Sequence, residues 1–403
     1  MKIAAIIAEY NPYHNGHRLL VRQVRSAGAQ AVIAVMGGDW LQRGEPALFP
    51  KRIRARAALT CGVDLVLELP LPYAAATAER FAWGAVFILS ALGCVDTLAF
   101  GSECGELPPL ERCAAALREP RLDKELRRRM GEGLSYAAAR QQGVEALYGP
   151  EAAVPLARPN DTLAVQYLVE LAKVGGSIRP FTIPRQGAGH DSASPCGGEG
   201  ERPPTASASW LRQRLRAGEW EEAKPYIPPP AWALYREAME AGHWADSARL
   251  ELPLLAVLRR MTQEDFAALP DLSEGLEHRL WRAVQKGRSL QEILELAKTR
   301  RYTHARLRRL LLAAYLGLPA GACREEPPYI RVLGMNATGA KVLSMAKGQT
   351  VLPLSHSLAR LERLGGRAKA FTAMEVRAAD LYGLLCPAVP PCGTDYTNSI
   401  ITL

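Results

Sequence analysis

Short apolar runs alternate with amphipathic segments through the first half of the chain. The apolar runs are nearly free of charged residues, which is typical of parallel strands that are covered on both faces. The segments between them repeat apolar residues at helical spacing. We predict strands at 2–8, 31–36, 64–69 and 97–101, and helices at 16–27, 50–61 and 77–92. This alternation predicts a doubly wound α/β domain with a parallel sheet, whose ligands bind at the carboxyl ends of the strands.

The pattern changes in the second half of the chain. It is mostly helical beyond residue 105, except for a fifth predicted strand at 177–184. The stretch 187–204 is rich in Gly, Ser and Pro and predicts a loop or lid, and Ser207 or Ser209 then caps the next helix. Helical spacing continues from about 228 to 318 and is mixed thereafter. The proline-rich segment KPYIPPP suggests two domains, a catalytic α/β domain at 1–225 and a mostly α-helical domain at 226–403.

Composition narrows the class of protein. Of the 403 residues, 48% are hydrophobic and 23% are charged, which is ordinary for a globular protein. No apolar run reaches the roughly 18 residues of a membrane helix, and the N-terminus does not read as a secretion signal. The eight cysteines include no CxxC pair, which argues against a zinc site or a disulfide framework. We expect a cytoplasmic protein with reduced thiols and no membrane segment.

The net charge of +9 suggests a polyanionic partner. Basic residues concentrate at 51–56, at 127–129 and most densely at 298–309, which reads KTRRYTHARLRR. We predict a helix there that buries Leu307, Leu310 and Leu311 and turns arginines such as Arg301 and Arg308 outward on one face. These arginines suit a nucleic-acid backbone, although a solvated helix face is the alternative. The candidate nucleic-acid contacts are Arg300, Arg301, Arg306, Arg308 and Arg309.

Two histidines follow the first predicted strand. His14 and His17 stand in the sequence HNGH, at the start of the next helix, where backbone N–H groups and the helix dipole favour an anion. At this spacing both imidazoles share a face and can donate hydrogen bonds to a phosphate oxygen as charge develops. Gly16 permits close approach of the backbone. A metal site is the alternative, but no third ligand is close in sequence.

Several segments resemble one known family. YNPYHNGH resembles the H-x-G-H signature of the nucleotidyltransferase superfamily, whose domain is a HUP-like Rossmann fold. The stretches VMGGDWLQRGEPALFPKRIRARAAL, GVDLVLELPLPYA, FGSECG, RPNDTLAVQYL, IPRQGAGH and YIRVLGMNATGAKVL are similar to landmarks of the bacterial tRNA(Met) cytidine acetate ligases. The resemblance implies an ATP-dependent ligase that activates acetate as acetyl-adenylate, with Mg²⁺ accompanying ATP. The acetyl group would pass to the wobble cytidine of elongator tRNA(Met), giving 4-acetylcytidine.

The resemblance also implies site residues. His14 and His17 would be catalytic, and Arg212 matches a late Ser-x-x-x-Arg phosphate motif, with a surface helix arginine as the alternative. Gly101 would leave room for adenosine, whereas Asn160 is equally explained as a helix N-cap. Asp39 would orient acetate or assist removal of the amine proton, unless it only forms a turn. The implied ATP contacts are Ile7, Ala8, Glu9, Tyr10, Asn11, Pro12, Tyr13, His14, Asn15, Gly16, His17, Arg18, Leu19, Leu20, Gly101, Asn160, Arg185 and Arg212.

The sequence departs from the family pattern in places and leaves two rival functions. Gly37 and Leu20 stand where relatives often carry Ser and His, and GAGHDS at 187–192 is altered. The first rival is a small-molecule adenylyltransferase, although the additional basic half of the chain favours a macromolecular substrate. The second rival is a non-enzymatic RNA-binding factor, against which the intact HNGH argues. The oligomeric state and the Mg²⁺ ligands stay open.

Overall fold

The computed structural model describes residues 1–185, 203–272 and 275–403. The loop predicted at 187–204 therefore falls almost entirely outside the described residues, as does the altered segment at 187–192. The strands are β1 (Ile3–Ala8), β2 (Ala31–Gly37), β3 (Trp40–Leu41), β4 (Glu45–Pro46), β5 (Leu65–Leu69), β6 (Thr97–Ser102), β7 (Arg179–Pro184), β8 (Ile330–Met335), β9 (Leu354–Ser355) and β10 (Ile401–Thr402).

Helices cover most of the remaining described residues. Up to β7 they are α1 (Asn15–Ser26), α2 (Lys51–Thr60), α3 (Leu71–Ala74), α4 (Ala78–Leu92), α5 (Leu107–Arg118), α6 (Pro120–Gly131), α7 (Tyr136–Tyr148), α8 (Pro150–Ala153) and α9 (Pro159–Val174). After residue 203 they are α10 (Ala208–Arg216), α11 (Trp220–Ala223), α12 (Pro229–Glu240), α13 (Glu251–Arg260), α14 (Gln263–Ala267), α15 (Leu276–Lys286), α16 (Leu290–Ala297), α17 (His304–Leu316), α18 (Ala337–Lys347), α19 (Leu358–Glu362), α20 (Gly366–Gly383) and α21 (Thr394–Thr397). Short 3₁₀ helices span Val154–Ala157, Lys224–Tyr226 and Ser247–Leu250.

One sheet organises the chain. Its strand order is β10-β8-β5-β2-β1-β6-β7, with β9 also pairing with β8. Neighbouring strands are parallel except β5 and β8, which run antiparallel. Alternate residues of β1 and β2 face two separate cores, one shared with α4, α9, α17 and α20 and the other with α1, α2 and α12. This covering of both faces explains the uninterrupted apolar runs and confirms the predicted doubly wound α/β fold.

The predicted strands and helices of the first half are confirmed, with ends that shift by one or two residues. Ser207, rather than Ser209, caps α10, because its side chain accepts the N–H of Trp210 at 3.2 Å. The sequence analysis missed that the C-terminal part contributes β8, β9 and β10 to the N-terminal sheet. The boundary at residue 225 stays a prediction, and strand pairing crosses it.

A buried ionic cluster joins the C-terminal part to the sheet. Lys51 Nζ lies 2.7 Å from carboxylate oxygens of both Glu68 and Asp395. Arg331 Nη1 lies 2.7 Å from Glu68 and 2.8 Å from Asp395. All four side chains are almost fully buried, so each charge depends on its partners for compensation. The cluster therefore fixes β8 beside β5 and anchors α21 near the carboxyl edge of the sheet.

Candidate active site

The two histidines cap α1 reciprocally. His14 is the N-cap residue, and its Nδ1 accepts the N–H of Gly16 at 3.1 Å. His17 Nδ1 accepts the backbone N–H of His14 at 3.2 Å, and the two ring centroids are 3.9 Å apart. Since both Nδ1 atoms act as acceptors, a neutral ring carries its proton on Nε2, as assigned from this hydrogen-bond network. The cap thus leaves an Nε2–H donor on each ring.

Burial keeps both rings neutral. It lowers the pKa of His14 to about 3, with Arg185 and Arg212 adding to the effect. Burial also lowers the pKa of His17 well below its ordinary value, helped by His14 and Arg185. At neutral pH the pair therefore offers two uncharged donors, and the positive charge of the site comes from the arginines.

A cavity of about 470 Å³ opens at the carboxyl ends of β1, β6 and β7, where a doubly wound fold binds its ligands. Most of the predicted nucleotide contacts line it: Ile7, Ala8, Glu9, Tyr10, Asn11, His14, Gly16, His17, Leu19, Leu20, Gly101, Asn160, Arg185 and Arg212. Pro12, Tyr13, Asn15 and Arg18 are not among its lining residues. The Asn15 side chain instead donates to the carbonyl oxygens of Pro204 and Pro225.

Arg185 and Asn160 form one wall of the cavity. Arg185 Nη1 donates to Asn160 Oδ1 at 2.6 Å, and Asn160 Nδ2 donates to Glu103 Oε1 at 2.6 Å. Glu103 also accepts the backbone N–H groups of Asn160 and Asp161 at the start of α9. The N-cap explanation of Asn160 is therefore wrong, because Glu103 satisfies this helix end. Asn160 links Glu103 to Arg185 and so orients the guanidinium in the cavity wall.

Gly101 supports this wall in a way that the sequence did not suggest. A Cβ at Gly101 would lie 3.1 Å from Cγ of Arg185. The missing side chain therefore accommodates the stem of Arg185, whereas the sequence analysis reserved that space for adenosine. Gly101 still lines the cavity.

The opposite wall is built from the end of β1, the β3–β4 hairpin and α10. Glu9 Oε1 accepts the N–H of Gln42 at 2.9 Å, and Arg212 Nη1 donates to the carbonyl oxygen of Asn11 at 2.9 Å. Arg212 also lies 3.6 Å from Glu45, and its side chain is only 13% exposed. Arg212 is thus a cavity residue, and the surface-helix alternative is wrong.

Asp39 is not among the residues that line the cavity. Its Oδ1 accepts the backbone N–H of Lys51 at 2.6 Å, at the N-terminus of α2. Burial raises the pKa of Asp39, against the opposing effect of Lys51 and Arg54. The structure gives Asp39 a helix-capping contact beside the ionic cluster, and its catalytic role stays an untested prediction.

The arginine segment differs from its predicted shape. α16 ends at Ala297 and α17 begins only at His304, where Thr303 caps it. Arg300 and Arg301 precede the helix, so the prediction that Arg301 and Arg308 share one helical face is wrong. The predicted burial of Leu307, Leu310 and Leu311 is confirmed.

The five arginines also differ in what they contact. Arg306 and Arg309 lie 3.7 and 3.8 Å from the Asp271 carboxylate, and Arg301 is partly buried. Arg300 and Arg308 are exposed. These two are therefore the members of the segment that are best presented to a polyanion. In the basic run at 51–56, by contrast, Lys51 and Arg54 are buried.

The β3–β4 hairpin connects the cavity with α17. Gln42, Arg43 and Glu45 line the cavity. Gly44 adopts a φ of +76°, and a Cβ there would lie 2.6 Å from the backbone nitrogen of Arg309. The hairpin tip thus packs directly on the helix that carries Arg308. Sequence analysis gave these hairpin residues no role, although they lie in the family-like stretch VMGGDWLQRGEPALFPKRIRARAAL, because only tertiary packing brings them to the cavity.

Sequence analysis also missed the aromatic part of the cavity, formed by Phe81, Phe100 and Tyr167. These side chains belong to α4, β6 and α9, and their spacing is that of ordinary core positions. An aromatic surface beside arginines and imidazole donors fits a ligand that joins an aromatic ring to an anionic group.

A doubly wound sheet, a capping histidine pair after β1 and arginines on both cavity walls define an H-x-G-H nucleotidyltransferase. The family described as HIGH Nucleotidyl Transferase matches residues 1–393. The tRNA(Met) cytidine acetate ligase of Syntrophotalea carbinolica is 39% identical, covering 96% of this chain and 95% of that protein. The tRNA(Met) cytidine acetate ligase of Caldanaerobacter subterraneus subsp. tengcongensis is 34% identical over 100% of both chains.

Solved structures give the same result. Thermotoga maritima TmcAL in its apo form superimposes with a TM-score of 0.92 at 30% identity, over 100% of both chains. The same protein bound with alpha-thio ATP gives a TM-score of 0.91 at 29% identity, again over 100% of both chains. The chain belongs to the tRNA(Met) cytidine acetate ligase family, as its sequence motifs indicated.

Proposed function

We propose that this protein is an ATP-dependent ligase that activates acetate as acetyl-adenylate and acetylates the wobble cytidine of elongator tRNA(Met). The observation that carries the proposal is the pair of Nε2–H donors of His14 and His17, which line a cavity flanked by Arg185 and Arg212. The full-length similarity to ligases of this name supports the choice of substrates.

In the first half-reaction, an acetate oxygen attacks the α-phosphorus of ATP and pyrophosphate leaves. Negative charge builds on the phosphoryl oxygens, and such transition states are stabilised by positioned donors and cations. His14 and His17 supply uncharged donors that do not have to reorganise, because the capping box fixes both rings. Arg185 and Arg212 approach from opposite walls and supply the positive charge. The aromatic surface beside Phe100 and Tyr167 suits the adenine ring.

Mg²⁺ is part of this proposal as a companion of ATP. No three His, Cys, Asp or Glu side chains come together as a metal site within residues 1–185, 203–272 and 275–403. This donor set fits an ion that is held mainly by ATP phosphates and water, as Mg²⁺ often is.

In the second half-reaction, the tRNA brings its cytidine to the adenylate. Arg308 is exposed on α17, against which the β3–β4 hairpin packs, and Arg300 is exposed just before this helix. Contacts of this kind position a nucleic acid through its phosphates and carry no base specificity. The segment therefore lies where a tRNA bound at the hairpin side of the cavity would meet it. No helix among the described residues could cross a membrane, and we infer a cytoplasmic enzyme because tRNA is its substrate.

The decisive experiment supplies the purified protein with labelled acetate, ATP and bulk tRNA. We expect label in tRNA that digests to 4-acetylcytidine, and no label when ATP is omitted. ATP consumption with acceptance of a small phosphate substrate in place of tRNA would favour the small-molecule adenylyltransferase. Absence of acetate-dependent ATP–pyrophosphate exchange would favour the RNA-binding factor. Loss of 4-acetylcytidine from the tRNA of cells lacking the protein would test the proposal independently.

A further inference from the structure

Acetyl transfer to an amine needs a proton acceptor, and neither His14 nor His17 can act as one. As the cytidine nitrogen attacks the acetyl carbonyl carbon, it becomes positively charged and must lose a proton before AMP leaves. The Nδ1 lone pairs of His14 and His17 already accept backbone N–H groups, and both Nε2 atoms carry hydrogen. Asp39 is not among the residues that line the cavity. Among the residues that the structure describes, the carboxylates that line the cavity are Glu9 and Glu45.

Glu9 is held rigidly at the end of β1. The buried guanidinium of Arg54 donates to the backbone oxygen of Glu9 at 2.5 Å. The same guanidinium donates to the carbonyl oxygens of Gly37 and Gly38 at the end of β2. The Glu9 side chain is fixed as well, since its Oε1 accepts the N–H of Gln42 at 2.9 Å. An ionised carboxylate has about four lone-pair sites, so the bond from Gln42 leaves capacity for a proton.

Glu9 and Glu45 differ in their surroundings. Glu45 lies 3.6 Å from Arg212, and its side chain is 32% exposed, which suits it to orienting the arginine. Burial raises the pKa of Glu9, and the nearby Glu45 adds to this effect, whereas the Gln42 N–H, Arg212 and Arg54 oppose it. Burial raises the pKa of Tyr167 on α9, and the nearby Glu9 adds to this effect. A carboxylate whose pKa is raised is a stronger base than one stabilised by an ion pair.

Glu9 is also connected through the β3–β4 hairpin to the helix that presents Arg308. Its hydrogen-bond partner Gln42 belongs to the β3–β4 hairpin, whose tip packs on α17 beside Arg308. Glu9 lines the same cavity as His14, His17 and Arg185, so an adenylate held by these residues would have the Glu9 carboxylate within its site.

We propose that Glu9 is the general base of the acetyl-transfer step, resting on the function proposed above. The exocyclic nitrogen of cytidine forms a bond to the acetyl carbonyl carbon, and the proton on that nitrogen passes to Glu9. The bond between the carbonyl carbon and the phosphate oxygen then breaks with its electron pair, and AMP leaves. The proton on Glu9 is lost to solvent after product release, so atoms and charge balance without a further reactant.

The test uses Glu9→Gln in the full chain, with synthetic acetyl-adenylate and tRNA as substrates. Glutamine keeps the shape and the oxygen that accepts the Gln42 N–H, but it cannot take up a proton. We expect single-turnover transfer to fall by about 10²–10⁴-fold, the range for loss of a positioned base. Transfer should fall more than acetate-dependent ATP–pyrophosphate exchange, because exchange requires no base. Glu9→Asp should recover part of the transfer rate.

The pH profile separates a base from a structural residue. With wild-type protein, transfer should rise with pH through the ionisation of Glu9 and then level off, and Glu9→Gln should lose this rise. Glu45→Gln is the matched comparison, and its profile should keep the rise. The inference is overturned if Glu9→Gln keeps the wild-type profile, if exchange falls as much as transfer, or if Glu45→Gln loses the rise instead. If the wild-type protein itself transfers no acetyl group to tRNA, the proposed function fails before Glu9 is tested.

Discussion

Replacing His17 by glutamine separates its proposed catalytic role from its role in capping α1. Glutamine at the third position of a helix can accept the backbone N–H of the capping residue, as His17 Nδ1 does for His14 at 3.2 Å. Alanine would remove this acceptor and cost about 1 kcal/mol of stability. With its oxygen turned back to His14, glutamine still carries an amide NH₂, but no rigid ring holds this donor where the Nε2–H of His17 lies. His17→Gln therefore keeps the cap and loses the preorganised position of the donor.

The size of the effect follows from the fixed position of this donor. Losing one preorganised donor to a developing oxyanion raises a barrier by about 2.7–4 kcal/mol, a factor of about 10²–10³. We expect acetate-dependent ATP–pyrophosphate exchange to fall by that factor in His17→Gln, while the unfolding midpoint in denaturant stays at the wild-type value. His278→Gln, on the exposed surface of α15, is the matched control and should exchange normally.

Two results would refute this reasoning. Exchange within threefold of wild type at saturating ATP and acetate would remove His17 from the chemistry. Equal losses of stability in His17→Gln and His17→Ala would mean that glutamine does not preserve the cap. Any fall in exchange would then reflect a displaced helix rather than the loss of a preorganised donor.

Three further predictions test other parts of the site and fold. Arg185→Ala should weaken ATP binding in calorimetry by about 10–100-fold, because a charge-assisted hydrogen bond contributes about 1.5–3 kcal/mol. tRNA binding should change less. An unchanged ATP affinity would mean that Arg185 has a structural role. Replacing both Arg300 and Arg308 by glutamine should lower the salt slope of tRNA binding by up to about two units, whereas Arg128→Gln, which breaks glutamate pairs on α6, should leave it unchanged. Burial and Glu68 raise the pKa of Glu375 to about 8. Between about pH 4.5 and 8 the folded state therefore keeps a proton that the unfolded state has lost. The free energy of unfolding should fall as the pH rises through this range. Glu375→Gln should reduce this fall in urea titrations, and an identical pH dependence would place the ionisation elsewhere.

The sheet was predictable where one local pattern decided the structure. All seven residues of β2 are buried, and such a strand can only be an uninterrupted apolar run. β8 carries the same signal, since five of its six residues are buried, but it lies far along the chain after a long helical stretch. Its antiparallel place beside β5 depends on the buried contacts of Arg331 with Glu68 and Asp395. Sequence spacing contains no trace of those contacts.

The site residues were likewise predictable where consecutive residues in the sequence decide their positions. His14 and His17 could be found because the strand, the cap and the helix that orient them are consecutive in sequence. Arg212 depended on a resemblance, and Gln42 had no signal, because it reaches the cavity only when the hairpin folds back over β1. The prediction that the arginine segment forms one continuous helix was wrong for a local reason. Thr303 is a strong helix cap, and it starts α17 after Arg301.

The β3–β4 hairpin contacts residues that we assign to both proposed half-reactions. Gln42 fixes the Glu9 carboxylate and Glu45 fixes Arg212 on its cavity side, while Gly44 touches the α17 backbone with no room for a Cβ. Since close-packed contacts of this kind transmit displacement, α17 cannot move toward or away from the sheet without moving the hairpin. A tRNA that engages Arg308 would therefore act on the wall that holds Glu9.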